Sequence, residues 1–138
     1  MAEILMILGV SILGILGSVH LIFTFFSRNF EARDPALTEA MKQGAPVISD
    51  ETTVWKAWIG FNASHSLGGI FLAALYIPLI LFHFEIIENS LWFSSVPLAA
   101  SLVYVFLAKK YWFNVPFYGI SLASLCFAAA LFLNIFIF

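Results

Sequence analysis

Charged side chains are scarce in this sequence. Asp, Glu, Lys and Arg make up only 10% of its 138 residues, whereas 62% of them are hydrophobic. Soluble domains carry about 25% charged residues, and a small domain still exposes much of its surface. A soluble chain could not cover this many apolar side chains, 16 of which are Phe. The composition therefore indicates an integral membrane protein, whose first partner is the lipid bilayer.

Cysteine is almost absent as well, which limits the chemistry that one chain can hold. Cys126 is the single cysteine, so a disulfide or a cysteine-based metal cluster within one chain is excluded. Phosphate-binding loops, hydrolase nucleophile elbows and nucleic-acid-binding motifs are also missing from the sequence. We expect no nucleic-acid partner, and an enzyme is not favoured, although one acting on a lipid-soluble substrate is left open.

Four apolar segments dominate the sequence. Each is close to or longer than the ~20 residues that an α-helix needs to cross a bilayer. The sequence thus predicts an all-α fold, a four-helix transmembrane bundle forming a single domain over residues 1–138. Pro78 lies inside the second predicted helix and could kink it. The predicted helices cover about 4–27, 51–83, 91–109 and 115–138.

The cationic residues are confined to two of the three connections. The first connection and its flanks hold Arg28, Arg33, Lys42 and Lys56, and the third holds Lys109 and Lys110. The charged residues of the second connection are all acidic. Because basic loops are retained in the cytoplasm, we expect loops one and three there and both termini on the outer side. The chain would then be a multi-pass protein of the cell's inner membrane.

The first connection, residues 28–50, is the only sizeable hydrophilic stretch. Asp34 followed by Pro35 is typical of an N-cap and a first helical residue. This pair predicts a short amphipathic helix at the cytoplasmic interface, and an ordinary solvated connector is the alternative. Ser49, which precedes Asp50 and Glu51, is expected to cap the second spanning helix.

Two histidines, His20 and His65, lie inside the first and second spanning segments. An ionisable side chain at membrane depth is costly, so it marks either a functional site or a buried hydrogen-bonded pair. Because the two helices run antiparallel, both imidazoles are expected at a similar depth, which predicts one shared site. At ~100° per residue, one face of helix two combines His65 with Trp58, Phe61, Asn62, Gly68, Gly69, Leu72 and Tyr76.

Binding of a small ligand or cofactor is the first hypothesis for this site. Haem b is the most specific version of this hypothesis, because two neutral imidazoles could supply both axial ligands. Phe23, Phe25 and Phe61 would then surround the macrocycle together with Trp58. A metal ion without haem is less favoured, since two histidines leave zinc or copper short of ligands. The predicted binding residues are His20, His65, Asn62, Trp58, Gly17, Gly68 and Gly69, with His20 and His65 as the metal ligands.

Two other functions fit the same residues. A small transporter or channel subunit could use a protonatable histidine, and this hypothesis predicts a homo-oligomer. A structural or accessory subunit of a larger membrane complex would need only hydrogen bonds across helices from Thr24, Asn62, Ser64, Ser66 and the histidines. The small-residue stripe Gly60, Ser64 and Gly68 favours close helix packing, which argues against the wide spacing that haem requires.

The first two helices resemble one family of membrane proteins. The pattern consists of Gly17-Ser18-Val19-His20-Leu21, Thr24-Phe25-Phe26, Thr53-x-Trp55 and Gly60-Phe61-Asn62-x-Ser64-His65-Ser66-x-Gly68. It is similar to that of an uncharacterised family of small bacterial four-helix integral membrane proteins, over about half of the chain. The resemblance implies a four-helix membrane fold and a bacterial source, and it carries no activity.

Overall fold

The protein is all-helical in the computed structural model, which describes residues 1–136. Four of its helices are long and apolar enough to cross a membrane, which confirms the predicted all-α class with four candidate spans. The last two residues of the predicted range 115–138 lie outside the described residues. The helices are α1 (Ala2–Phe26), α2 (Pro35–Gln43), α3 (Val54–Glu88), α4 (Leu91–Tyr111) and α5 (Asn114–Phe136).

The four long helices leave most of their apolar surface uncovered by the rest of the described chain. Only 22% to 28% of the most apolar stretch of each helix is buried within the protein. Large apolar side chains such as Phe26, Phe82 and Phe136 are therefore left on the outside of the helices. Exposed apolar area of this kind is typical of surfaces that contact a membrane or another protein, and it is consistent with a membrane protein.

The short helix α2 begins as the sequence predicts. The Asp34 carboxylate accepts a hydrogen bond from the Ala36 backbone N–H at 3.0 Å, and Pro35 occupies the first helical position. The helix ends where the Gly44 N–H donates to the Ala40 carbonyl at 2.9 Å. The N–H of Val54 then donates to the Gly44 carbonyl at 2.9 Å, which brings the start of α3 to the end of α2.

The N-cap of α3 is Thr53 and not Ser49, so this prediction was wrong. The Thr53 hydroxyl accepts from the Lys56 N–H at 3.2 Å, which is the N-cap to N3 spacing. Ser49 instead accepts from the Glu51 N–H at 3.1 Å within a turn. The helix therefore begins at Val54, three residues later than expected.

The far end of α3 also differs from the prediction. The helix continues to Glu88, five residues past the predicted end. Its single residue with non-helical dihedral angles is His83, at φ −146° and ψ 42°, whereas Pro78 keeps helical geometry. The exposed imidazole of His83 lies 3.6 Å from the Glu85 carboxylate.

The described chain forms two compact units. The core unit consists of Met1–Leu16 and the chain from Gly69 onward, and the polar unit is Gly17–Gly68. In the core unit, α1, α3, α4 and α5 contribute to one apolar core that includes Met6, Tyr76 and Phe127. A methyl group on Gly9 would overlap the Phe127 ring, so glycine permits this close approach.

The polar unit has a different interior. Its buried side chains are all polar, although the structure describes every residue from 17 to 68: Thr24, Thr38, Asn62 and Ser66. Gly17 is buried with them. Burying a polar group is costly unless it is hydrogen-bonded, so the partners of these side chains decide what the unit can do.

Candidate two-histidine site

Asn62 links helix α3 to His20 of helix α1. Its side-chain oxygen Oδ1 lies 3.1 Å from His20 Nε2, and its Nδ2 donates to the Trp58 carbonyl at 2.8 Å. The second bond orients the amide, so Oδ1 can only accept and Nε2 of His20 must donate. A neutral His20 therefore carries its proton on Nε2, which leaves Nδ1 as the basic nitrogen.

The second imidazole lies against the first. The ring centroids of His20 and His65 are 5.4 Å apart, and the rings meet edge to face at 74°. Both side chains are partly buried. At an effective dielectric constant of about 20, two positive charges at this spacing repel by about 3 kcal/mol.

Phe30, in the connection after α1, completes the surroundings of His20. Its ring centroid is 4.9 Å from that of His20, and its carbonyl accepts from Trp58 Nε1 at 3.2 Å. The connection thus folds back over His20 and is tied to α3. Sequence reasoning missed Phe30, although a lone aromatic residue between Asn29 and Glu31 is unusual in a polar connection.

Two buried hydroxyl groups lie next to the site in sequence but do not link the helices. The Thr24 hydroxyl donates to the His20 carbonyl at 2.8 Å, and the Ser66 hydroxyl donates to the Asn62 carbonyl at 2.8 Å. Each bond goes to the carbonyl four residues earlier in the same helix, a common local arrangement of Ser and Thr. The predicted bonds across helices from these two residues are therefore replaced by bonds within each helix.

Some of the predicted site residues lie elsewhere. Asn62 and Ser66 are buried on α3. Phe61 lies about 100° around the helix from Asn62, and Gly68 lies about 160° from Ser66, and both are exposed. Gly69 belongs to the core unit. Of the three glycines expected beside the histidines, Gly17 alone is a buried part of the polar unit.

The small-residue stripe on α3 also faces outward. Gly60, Ser64 and Gly68 are exposed, and a methyl group on Gly60 would meet no atom within 4 Å. Ser64 donates to the Phe61 carbonyl at 2.9 Å within its own helix. Among the described residues, the predicted close helix contact is therefore not made at Gly60.

The arrangement of the two imidazoles does not fit haem b. A macrocycle held by both histidines would lie between the rings, but the rings touch edge to face and His20 Nε2 is engaged by Asn62. Phe23, Phe25 and Phe61, expected as walls, are exposed. Within residues 1–136, no cluster of three or more His, Cys, Asp or Glu side chains could hold a metal ion.

Comparison with known proteins finds no matching family model, no matching curated protein and no matching solved structure. The resemblance seen in the sequence stays a prediction. Function must therefore be inferred from the site itself.

Proposed function

We propose that this chain is a small transporter or channel subunit of the bacterial inner membrane, in which the His20–His65 pair binds and releases a proton. The proposal includes the topology expected from the charges, with loops one and three in the cytoplasm. One observation carries it: two imidazoles lie in contact, 5.4 Å apart, inside a unit whose buried side chains are polar. A proton is the smallest ligand that such a site can take.

Imidazole suits this role because it gains and loses a proton near neutral pH. In the neutral pair, His20 donates from Nε2 to Asn62, and an added proton goes to Nδ1 of His20 or to His65. The rings are close enough for one charge to be shared between them. Proton transfer therefore does not require the carboxylate relay that is common in membrane transporters.

The surroundings of the pair favour reversible protonation. Phe30, Asn62 and Trp58 around the pair are uncharged. The nearest acidic residue after α1, Glu31, already forms a 2.8 Å ion pair with Arg28. An imidazolium at His20 therefore contacts the uncharged groups of Phe30 and Asn62, which favours release of the proton.

A structural role is the second candidate, and specific bonds favour it. His20–Asn62 joins α1 to α3, and Trp58–Phe30 joins α3 to the connection. These bonds would stabilise an accessory subunit of a larger membrane complex without any proton transfer. This role predicts that glutamine at both histidine positions leaves the partner's activity unchanged, because glutamine still forms hydrogen bonds.

Proton flux separates the two candidates. We expect the full chain, reconstituted in liposomes that contain a pH-sensitive dye, to dissipate a proton gradient. His65→Gln and His20→Gln should each reduce that flux by at least about tenfold, within the range for loss of a positioned acid–base group.

His83→Gln is the matched control, because His83 is exposed and lies outside the polar unit. Its flux should equal that of the unmodified chain. Equal flux in all three variants, or no flux from the unmodified chain at any pH, would leave the structural role as the better account.

A further inference from the structure

A second polar feature of the polar unit lies after the end of α1. It is a surface pocket of about 240 Å³ that is lined by residues between α1 and α2 and by one side of α2. Its first lining residue comes two positions after Phe26, the last residue of a membrane-spanning helix. The lining residues are Arg28, Glu31, Ala32, Arg33, Pro35, Thr38, Glu39 and Lys42.

The charges in this pocket are only partly neutralised. Arg28 pairs with Glu31 through Nε at 2.8 Å, and Glu39 accepts from the Gln43 amide at 2.8 Å. Within residues 1–136, neither Arg33 nor Lys42 has a carboxylate within ion-pair distance. Of the charges that stay unpaired in this lining, those of Arg33 and Lys42 are positive and that of Glu39 is negative, so the pocket keeps a net positive charge.

Side chains, and not the amino end of α2, supply the donors for an anion. The N–H groups of Ala36, Leu37 and Thr38 are all taken by Asp34. The buried Thr38 hydroxyl accepts from the Ala32 N–H at 3.0 Å, which leaves its own hydrogen to donate to a ligand. Arg33 adds a planar fork of N–H groups that matches phosphate oxygens.

We propose that this pocket binds a phosphate group, that of an anionic phospholipid headgroup. Its place at the end of a membrane-spanning helix puts it at headgroup level, where basic pockets recognise such lipids. The same connection exposes Val47 at 110% and Ile48 at 91% of their reference areas. A free anion in water would not cover these apolar side chains, whereas the interface of a bilayer would.

Native mass spectrometry of the full chain in detergent tests this assignment. Phosphatidylglycerol should be retained in preference to phosphatidylcholine with the same acyl chains. The double variant Arg33→Gln/Lys42→Gln should weaken that retention by about tenfold or more, the loss expected for a charge-assisted hydrogen bond to a bound phosphate. Both residues are exposed, and circular dichroism should show an unchanged helical content.

Lys109→Gln/Lys110→Gln is the matched control, because it removes the same charge from exposed residues of the core unit. It should retain phosphatidylglycerol like the unmodified chain. Equal losses in both double variants would overturn the proposal in favour of a general attraction between charges. Displacement by inorganic phosphate without any preference among lipids would overturn the lipid source and place a free anion in the pocket.

Discussion

Single residues decide what the polar unit can do, and Asn62 has the most specific role. It is buried, it accepts from His20, and its amide group is oriented by the Trp58 carbonyl. Asparagine is therefore both a contact between helices and the group that selects the tautomer of His20. A hydrophobic residue of similar size would fill the space but would leave the Nε2 donor without its acceptor.

Asn62→Leu should therefore destabilise the protein by about 1 kcal/mol, the scale of hydrogen bonds between membrane helices. Thermal unfolding in detergent measures this change. Ser64→Ala is the control and should be neutral, because Ser64 is exposed on the same helix. An equal loss for the two substitutions would show that the His20–Asn62 bond is not formed.

The residues of the site were only partly predictable. His20, His65, Asn62 and Trp58 could be found from the sequence because polar and amphipathic groups are rare within apolar segments. Phe30 could not, because it reaches His20 through an irregular connection whose path no periodic pattern describes.

At the scale of helices, the sequence predicts position along the chain better than rotation about the helix axis. The predicted ranges 4–27 and 91–109 agree closely with α1 and α4, because length and hydropathy are properties of a continuous segment. The orientation of Gly60 and Gly68 was not predictable. A helix that is apolar on all sides carries little periodic signal, so its neighbours determine which face is buried.

Two glycines on different helices provide a direct test of these orientations. Gly9→Ala should destabilise the protein by about 1–3 kcal/mol, because the added methyl group overlaps the Phe127 ring in a packed core. Gly60→Ala should be neutral or stabilising by up to ~1 kcal/mol, since alanine favours helix and meets open space there. Thermal unfolding of the two variants compares them, and the reverse order would contradict the assigned faces.

At the scale of the whole molecule, the two units differ in the kind of side chain that they bury. The core unit buries apolar residues such as Val10, Ile80 and Phe127. The polar unit buries threonine, serine and asparagine around partly buried histidines. Composition alone predicts the membrane and the four long helices, but it does not show that polar burial is concentrated in residues 17–68.

Proton uptake by the His20–His65 pair is measured most directly by nitrogen NMR of the full chain labelled at histidine. In its neutral form, we predict that His20 carries its proton on Nε2, the nitrogen that faces Asn62. Acidification should then change the nitrogen signals of His20 and His65 together, as expected for one proton shared by the two rings. If His20 and His65 each took up a full proton independently of the other, the two rings would not form a shared proton site.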